Sequence, residues 1–509
     1  MKTMHRFLLP DDLDERALRS GLADAHSLVL APVTHHAVTY LDTFDWRLHN
    51  AGLVLTEERG RRRSLVLLEA GREPVVVAVK ATPKLPGDLP AGHIAATVAP
   101  AMDIRALIPV GSVQTERREG RVEDADGNIV TRLRLERIEI PAAGDGDDPT
   151  AFTALGADRP KALGPLQAIK DATKLPGHDL AAAAAARGRT PGDYASKVVI
   201  PLEADLPAAD SMRTILTELL DTLEANVRGT IADLDTEFLH DLRVACRRTR
   251  SALTQLKGVL DPEAVAPFNA EFKWLGGATG DLRDLDVYLL EMPVYRSMLP
   301  ASIVGDLEPL VSLIAAERTR AHRSVAKALR STRFRRLISD WRTCLGDIAP
   351  APGKTAAGPT AALASQRITK AYRRILKKGS GLGEDPPAEA LHRLRIDAKK
   401  LRYLLEFFRS LYPKREIAAR IKELKRLQDI LGGFNDMEIQ RDRLAGFAET
   451  LHADPSVKAR VLLTMGRLAG ALEQRQEAFR LAFHDAFVEF SGPTVRTAYD
   501  RLSSTKESR

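Results

Sequence analysis

The chain has 509 residues, too many for one hydrophobic core, and its 44% hydrophobic and 28% charged composition is typical of a globular protein with two or more domains. Seventy-five Lys and Arg against 68 Asp and Glu give a net charge of +7, which favours an anionic partner at a locally basic surface. Two cysteines exclude a disulfide framework, no apolar run approaches the ~18 residues of a membrane span, and no secretory apolar segment opens the chain, so we expect a cytoplasmic protein with no membrane partner.

Residues 1–202 have the pattern of β-strands. Alternating runs such as HHAVTYLDT and PVVVAVKA are rich in Val and Thr and end at Gly, Pro or Asp-Gly. The segment GRVEDADGNIVTRLRLERIEI places Asp-Gly between two such runs, which predicts a hairpin with a primed turn. We therefore predict an antiparallel β-rich domain over residues 1–202.

Residues 205–509 have helical periodicity and an internal repeat. The segment HDLRVACRRTRSALTQL, from His240, aligns with HRLRIDAKKLRYLLEFF, from His392, at an offset of 152 residues. At the same offset FKWLGGATGDLRDLDV, from Phe272, aligns with LKRLQDILGGFNDMEI, from Leu424. Two segments that share one offset indicate a duplicated unit. We predict an all-α domain whose repeat halves span about residues 205–348 and 360–509.

Four predicted helices carry rows of cations at positions i, i+3, i+7 and i+10, which fall within roughly 80° of one helix face. Like charges at this spacing destabilise a helix by roughly 0.2–0.5 kcal/mol per pair, so such rows need a reason. The rows are His240, Arg243, Arg247 and Arg250 with the neighbouring Arg248; Arg320, Arg323, Lys327 and Arg330; Arg367, Lys370, Arg374 and Lys377; and His392, Arg395, Lys399 and Arg402 with the neighbouring Lys400. A single row is usually a solvated helix face, whereas four nearly pure rows predict one shared basic surface.

Phosphate groups suit such a surface, because Arg presents forked donors and Lys a point charge. Nucleic acid would call for aromatic platforms beside the cations, and the rows contain none in a chain with 5% aromatic residues. His240 and His392 begin their rows and could add a cation or donate a hydrogen bond to an anion. Neither has a His or a carboxylate four residues later, and Cys246 is expected in the core. We predict no metal site, and a featureless polyanion rather than a nucleic acid as partner.

The pattern His-x-x-Arg-(Val/Ile)-x-x-basic-basic-x-Arg, followed some 40 residues later by Arg-Asp or Asn-Asp, resembles the CHAD domain, the conserved histidine α-helical domain. The resemblance covers about residues 205–509 and implies two pseudo-symmetric four-helix bundles, whose basic helices line a pore that binds inorganic polyphosphate. It implies that the rows beginning at His240 and His392 are ligands, with Lys273, Lys422 and Lys425 as additions. Arg283-Asp284 and Asn435-Asp436 are expected to fix helix ends and packing instead.

The segment YLDTFDWRLHNAGLVL, from Tyr40, resembles the CYTH fold of triphosphate tunnel metalloenzymes, as do VAVKATP with Lys80 and SKVVI with Lys197. The resemblance implies an antiparallel β-barrel around a tunnel. Those enzymes hold a divalent metal with an N-terminal Glu-x-Glu-x-Lys strand, where this chain has Lys2, Met4 and Arg6. Mg²⁺ and Mn²⁺ need carboxylate oxygens, so we predict a degenerate barrel with no catalytic residues.

Other charged residues of this region leave two interpretations open. Glu136 and Glu139 are expected on opposite faces of one strand and so form no metal-binding pair. Arg59, Arg61 and Arg63 alternate onto one face, as do Arg132 and Arg134. These arginines are either surface charge on strand edges or part of a tunnel that attracts phosphate without cleaving it.

The resulting prediction is an α+β multidomain protein, a degenerate CYTH-like barrel followed by a CHAD helical domain. We expect non-catalytic binding of inorganic polyphosphate, with no cofactor, in the cytoplasm and on polyphosphate granules, where protein partners would meet it. The alternative is a metal-dependent inorganic triphosphatase or polyphosphatase in the N-terminal tunnel. A nucleic-acid-binding protein is a third reading.

Overall fold

A computed structural model describes residues 4–10, 15–22, 26–142, 148–163, 173–196, 199–383 and 385–504. Its contacts divide the chain into two compact units, Met1–Ser196 and Lys197–Arg509, which we call the sheet unit and the helical unit. Within the described ranges, no helix combines the length and the apolar character that crossing a bilayer requires.

The sheet unit is built around one antiparallel sheet. Its described elements are β1 (His5–Leu9), α1 (Glu15–Leu22), β2 (Ser27–Leu30), β3 (Thr34–Asp42), α2 (Arg47–Asn50), β4 (Leu53–Arg59), β5 (Arg63–Glu69), β6 (Val75–Ala78), α3 (His93–Met102), β7 (Ile108–Glu123), β8 (Ile129–Ile140), β9 (Thr150–Ala157), β10 (Lys174–Leu175) and α4 (Leu180–Ala185). The strand order is β10-β1-β9-β8-β7-β3-β4-β5-β6, with β2 paired to β7. The predicted antiparallel β-rich character is confirmed.

The predicted hairpin is formed by β7 and β8, but its turn differs from the primed turn expected. Backbone hydrogen bonds join Asp124 N to Asn128 O and Gly127 N to Asp124 O, at 3.0 and 3.1 Å. Gly127 has φ +82°, the left-handed conformation that closes a three-residue hairpin loop. Asp-Gly therefore marks the turn, with glycine at the position where positive φ is required.

The prediction of a closed barrel is wrong, because the sheet is open. Its two end strands, β6 and β10, do not pair with each other in the described residues. β6 has four residues and follows Pro74, and β10 has two residues and precedes Pro176. Proline lacks the N–H that a ladder needs, so these short edges offer too few donors to close the sheet.

The two faces of β4 and β5 have different surroundings. Leu55, Leu65 and Leu67 are buried against Ile94 and Val98 of α3. The alternate residues, such as Val54 and Val66, line an internal cavity of about 620 Å³. Strand alternation thus separates a covered apolar core from an interior that a ligand could enter.

The helical unit contains the helices α5 (Ala208–Ala232), α6 (Thr236–Gln255), α7 (Pro262–Ala278), α8 (Gly280–Ser297), α9 (Glu308–Leu329), α10 (Thr332–Asp347), α11 (Lys354–Ala357), α12 (Thr360–Gly379), α13 (Ala388–Phe407), α14 (Lys414–His452), α15 (Ala459–Ser491) and α16 (Pro493–Ser504). One large apolar core runs from α5 to α16 and includes Cys246, as expected, and a smaller core lies between α8, α9, α14 and α15.

The sequence repeat reappears in the helix boundaries. Three helices of the first half and three of the second begin 152 residues apart: α5 and α12, α6 and α13, and α7 and α14. The halves also contact each other. Pro207 and Pro359, which precede equivalent helices, form an antiparallel bridge, and Ser211 Oγ lies 2.7 Å from Thr360 Oγ1.

The two halves differ at α14. The first half has two separate helices, α7 and α8, where the second half has the continuous helix α14. Arg243 Nη1 donates to Gly276 O at 2.8 Å and to Thr279 Oγ1 at 2.9 Å, and Thr279 Oγ1 donates to Leu275 O at 2.8 Å. These bonds satisfy carbonyls of the last turn of α7, so the helix can end there. At the equivalent place α14 has Leu431, which has no hydroxyl, and the helix continues.

Candidate anion-binding site

The basic rows of α6 and α13 come together where these two helices pack across the repeat halves. Lys399 is the point of convergence, because the charges of Arg395 and Arg402 from its own half and of Arg247 from the other half all act on it. We call the six cations of the two rows the seam cluster: Arg243, Arg247, Arg250, Arg395, Lys399 and Arg402. Two of the four predicted rows therefore form one surface.

Lys399, the lysine of this cluster, has a strongly lowered pKa. Burial, together with the positive charges of Arg395 and Arg247, lowers the pKa of Lys399 to about 8, while Asp436 acts in the opposite direction. The described residues give its ammonium no hydrogen bond or ion pair. A bound anion stabilises the ammonium form of a lysine that like charges surround, so the site favours a negative ligand.

The arginines of the seam cluster divide into anchored and unanchored groups. Arg243 is anchored at the end of α7, and burial and Arg247 lower its pKa. Arg395 Nη2 lies 3.0 Å from Asp436 Oδ1, and Arg402 Nε lies 2.7 Å from Glu406 Oε1. Arg247 is exposed and Arg250 half-buried, and neither has a carboxylate partner among the described residues. Unanchored cations are the ones that an incoming anion can neutralise.

His392 is held by Asn435, which the sequence did not select as part of the site. The His392 Nδ1 donates to the Asn435 amide oxygen at 2.6 Å, so Nε2 remains for a second interaction. Asn435 and Asp436 lie inside α14, so the expected role at a helix end is wrong for this pair, whereas the expected role in packing agrees with the contacts of Asn435 and Asp436 with α13. The pair instead orients His392 and Arg395.

The equivalent pair of the first half has different contacts. Arg283 Nη1 donates to Thr236 O at 3.4 Å, at the start of α6, and Asp284 accepts from Arg443 Nη2 at 3.0 Å. His240, the equivalent of His392, is half-buried in the same first turns of α6. The repeat alignment matches Arg283 to Asn435, the residue that holds His392. Because the first half has an arginine at this position, the alignment indicates different surroundings for the two histidines.

Several predicted cations are neutralised by carboxylates that sequence reasoning missed. Arg248 forms an ion pair with Glu406, which also binds Arg402, so this carboxylate joins the halves at one end of the seam cluster. Lys400 lies 3.9 Å from the buried Asp397. Glu406 has Thr254 as its equivalent in the first half, so the repeat gave no sign of it.

The row on α9 is placed elsewhere. Arg320, Arg323, Lys327 and Arg330 are exposed on a helix that packs mainly on α5 and α8. The helices of the seam cluster, α6 and α13, are not among the main packing partners of this helix. The expectation of a single surface for all four rows does not extend to this helix.

The row on α12 lies beside the seam cluster. Arg367, Lys370 and Arg374 line a cavity of about 200 Å³ together with Lys257 and Lys400, whereas Lys377 is exposed outside it. The three additional lysines, Lys273, Lys422 and Lys425, are exposed on α7 and α14. They add positive potential without a defined contact.

The interior of the sheet unit holds paired charges. Arg6 Nη1 and Nη2 donate to Asp179 at 3.1 and 2.9 Å, and Glu136 lies 3.6 Å from Arg6 Nε. Arg117 contacts Glu136 at 2.9 Å and Glu58 at 3.1 Å. These arginines line the 620 Å³ cavity but are already neutralised by neighbouring carboxylates.

The residues expected at a metal-binding tunnel are placed as follows. Met4 and Arg6 line the cavity, whereas Lys2 and Lys197 lie outside the described residues. Lys80 is exposed, and its carbonyl oxygen accepts a hydrogen bond from Arg63. Glu136 faces the cavity and Glu139 is exposed, which confirms their opposite faces. No group of three His, Cys, Asp or Glu in the described ranges is arranged to hold a metal ion.

The remaining arginines of this unit are distributed over both faces of the sheet. Arg59 and Arg63 bind Glu57, which is 1% exposed, at 3.0 Å each. Arg61 lies in the β4–β5 turn and Arg132 is exposed, while Arg134 lines the cavity and binds Glu119 at 2.7 Å. Surface charge accounts for most of them.

Comparison with known proteins finds a family match within the helical unit. Residues 214–445 match the family model of the CHAD domain. Two uncharacterized proteins of Mycobacterium tuberculosis, from strains CDC 1551 and H37Rv, are each 26% identical over 274 residues, which cover 50% of this chain and 51% of theirs. The chain thus spans about half the length of these curated relatives.

Two solved structures are also similar. The crystal structure of the CHAD domain from the plant Ricinus communis has 28% identity and a TM-score of 0.47, and covers 57% of this chain and 95% of that one. PptA from Streptomyces chartreusis has 19% identity and a TM-score of 0.45, and covers 55% of this chain and 99% of that one.

Proposed function

We propose that the helical unit, whose residues 214–445 form a CHAD domain, binds inorganic polyphosphate along the seam cluster without cleaving it. The observation that carries the proposal is the convergence on Lys399 of cations from both repeat halves. Burial and these charges lower the pKa of Lys399, which has no ion-pair partner in the described part of the chain. The proposed setting is the cytoplasm, on polyphosphate granules.

Binding would follow from Coulomb attraction and counterion release. Each phosphate unit of the chain is neutralised by a side-chain cation, and the released counterions supply a salt-dependent part of the affinity. Arg247 and Arg250 offer forked donors to phosphate oxygens, and Lys399 offers a point charge. The anchored Arg243 and Arg395 would hold their parts of the seam cluster in place while the others engage the ligand.

The lowered pKa of Lys399 predicts a pH dependence. A bound polyanion raises that pKa, so binding takes up a proton wherever the unliganded lysine is neutral. The affinity for long-chain polyphosphate should therefore fall as pH rises above about 8, by up to about tenfold per pH unit. Titrations at about pH 7, 8 and 9 and constant ionic strength measure it.

The matched variant for this experiment is Lys399→Arg, because the guanidinium stays charged throughout the same pH range. Its affinity should be nearly constant between about pH 7 and 9. Equal pH profiles for the wild type and the variant would show that Lys399 does not contact the ligand.

A competition experiment separates polyphosphate from nucleic acid as the ligand. Single-stranded and duplex nucleic acids are added to the preformed polyphosphate complex at equal phosphate concentration. We expect little displacement, since the seam cluster presents no aromatic side chain on which bases could stack. Displacement comparable to that by unlabelled polyphosphate would favour a nucleic-acid-binding protein.

The second candidate function is a metal-dependent triphosphatase in the sheet unit, which the 620 Å³ interior cavity favours. Arg6 and Arg117 bind the cavity carboxylates Glu58, Glu136 and Asp179. The other two carboxylates of the lining, Glu69 and Glu119, are bound by Arg72 and Arg134. We expect no release of phosphate from tripolyphosphate in the presence of Mg²⁺ or Mn²⁺, because these carboxylates already have cationic partners. Metal-dependent release above a metal-free control would establish the enzyme.

A further inference from the structure

The cavity beside α12 is a second cationic site, distinct in shape from the seam cluster. It has a volume of about 200 Å³ and is lined by both repeat halves: Lys257 follows α6, Arg367, Lys370 and Arg374 project from α12, and Lys400 belongs to α13. Lys399 and Lys400 are consecutive on α13, so the cavity and the seam cluster lie on adjacent faces of that helix.

Hydrogen bonds between the halves fix the walls of this cavity. Arg367 Nη2 donates to the carbonyl oxygen of Lys257 at 2.8 Å, and Gln255 Nε2 donates to the carbonyl oxygen of Lys400 at 3.2 Å. Ala371 and Leu404 provide an apolar part of the lining. The cations are thus gathered around one partly open cavity rather than spread along a helix face.

The charge of the cavity is unbalanced. Five cations line it against one carboxylate, Asp397, which is 5% exposed. That carboxylate is already bound by Lys378 at 2.5 Å, and lies 3.9 Å from both Arg374 and Lys400. Lys257, Arg367 and Lys370 have no carboxylate partner in the described residues, and Arg367 Nε is buried without a hydrogen bond.

The two sites suit different parts of a phosphate chain. An internal phosphate unit carries one negative charge and is bridged on two sides, so it fits a row of separate cations such as the seam cluster. A terminal phosphate has a second ionisation near pH ~6, and therefore carries nearly two charges and three free oxygens at neutral pH. A compact pocket with converging cations stabilises the group with the more concentrated charge.

We infer that this cavity binds a terminal phosphate group. The group could belong to the end of a polyphosphate chain or to a short free anion such as tripolyphosphate. The chain-end source deepens the proposed function and rests on it, whereas the free-anion source does not. In the first case the protein would distinguish chain ends from chain interiors.

The test uses the full chain and three probes: tripolyphosphate, long-chain polyphosphate with free ends, and long-chain polyphosphate with its ends blocked as amides. The cavity variant is Lys257→Glu with Lys370→Glu, since both side chains are exposed enough to change without disturbing the core. The control is Lys327→Glu with Lys354→Glu, which changes the net charge equally at exposed positions outside the cavity. Circular dichroism confirms that each variant is folded.

We expect the cavity variant to lose at least about tenfold in affinity for tripolyphosphate relative to the control. We also expect the wild type to prefer free-ended over blocked chains, and the cavity variant to lose that preference while its affinity for blocked chains matches that of the control. Unchanged tripolyphosphate binding in the cavity variant would overturn the inference for both sources.

The outcomes also distinguish this inference from the proposed function. If long chains bind with no effect of blocking and tripolyphosphate binding is insensitive to the cavity variant, the cavity inference fails and the proposed function stands. If tripolyphosphate binds through Lys257 and Lys370 but long chains do not bind, the proposed function fails and the cavity is a site for short phosphates. Preference for blocked ends would contradict chain-end recognition directly.

Discussion

The affinity for long-chain polyphosphate should fall at least ~100-fold when Arg247 and Lys399 are both replaced by glutamate. These residues belong to different repeat halves, and the charge of Arg247 acts on Lys399 across the α6–α13 contact. Reversing both charges removes two contacts and adds repulsion on an adjacent phosphate. Isothermal titration or fluorescence anisotropy at low salt measures the loss.

The choice of residues matters because the seam cluster also has structural members. Arg243 holds Gly276 and Thr279 at the end of α7, and Arg395 binds Asp436, so replacing either would disturb the fold as well as the site. Arg247 and Lys399 make no such contacts within the described residues. A loss of affinity in their double variant therefore reports on the ligand.

The matched control for this experiment is Arg320→Glu with Lys327→Glu. It makes the same exchange of one arginine and one lysine, on the exposed face of α9. We expect less than about a threefold change, the size of a long-range effect of net charge. Equal losses in the two double variants would mean that polyphosphate binds by overall charge and not at the seam cluster.

A second large effect is expected on stability when Arg318 is replaced by methionine. Arg318 Nε donates to Asp286 at 2.7 Å, and its other nitrogens donate to Asp233 at 2.6 and 2.7 Å. Asp286 is 1% exposed; its Oδ1 accepts from Arg318, and its Oδ2 is buried without a hydrogen bond. Removing the arginine leaves a buried carboxylate without its hydrogen-bonded cation, which costs about 3–5 kcal/mol in the free energy of unfolding. Urea denaturation of the full chain measures it.

The pH dependence of this loss has a definite sign. Burial raises the pKa of Asp286 even with Arg318 present, and without that cation the pKa rises further. A raised pKa in the folded state means that the charged form is penalised, so the penalty shrinks as pH falls and the carboxyl becomes neutral. The stability difference between the wild type and Arg318→Met should therefore be larger at about pH 8 than at about pH 5.

Two further variants complete the experiment. Arg318→Met with Asp286→Leu should recover more than half of the lost stability, because the buried carboxylate is removed together with its cation. Arg320→Met, two residues away on the exposed face of α9, should change stability by less than about 0.5 kcal/mol. A small effect of Arg318→Met would mean that Asp286 is solvated or finds another partner.

The duplication and the helical rows could be predicted from the sequence because both are locally encoded. The offset that aligns His240 with His392 also relates the starts of α6 and α13. A spacing of three and four residues fixes which side chains share a helix face, whatever surrounds the helix. These two facts gave the members of the seam cluster, whereas the packing of α6 on α13 that joins them was found in the structure.

The sequence could not show which cations are neutralised by carboxylates that are distant along the chain. The row on α9 has the same spacing as the row on α6, yet the two lie in different surroundings. The ion pair of Arg248 with Glu406 joins residues that are 158 positions apart. In the sheet unit, Arg117 of β7 forms an ion pair with Glu58 of β4, and no spacing along the chain indicates this contact.

The open sheet illustrates a different limit. Strand alternation and the Asp-Gly turn correctly indicated an antiparallel sheet, but closure depends on the lengths of its edge strands. β6 and β10 are short and bounded by proline, and the pattern of residues within the longer strands does not reveal that.

The central claim is that the seam cluster binds a polyanionic phosphate chain. The most direct test is titration of the intact protein with long-chain polyphosphate at several salt concentrations. If Arg247, Arg250 and Lys399 each neutralise one phosphate, the logarithm of the association constant should fall with the logarithm of salt concentration with a slope of about −2 or steeper. Absence of binding, or an affinity that does not change with salt, would contradict it.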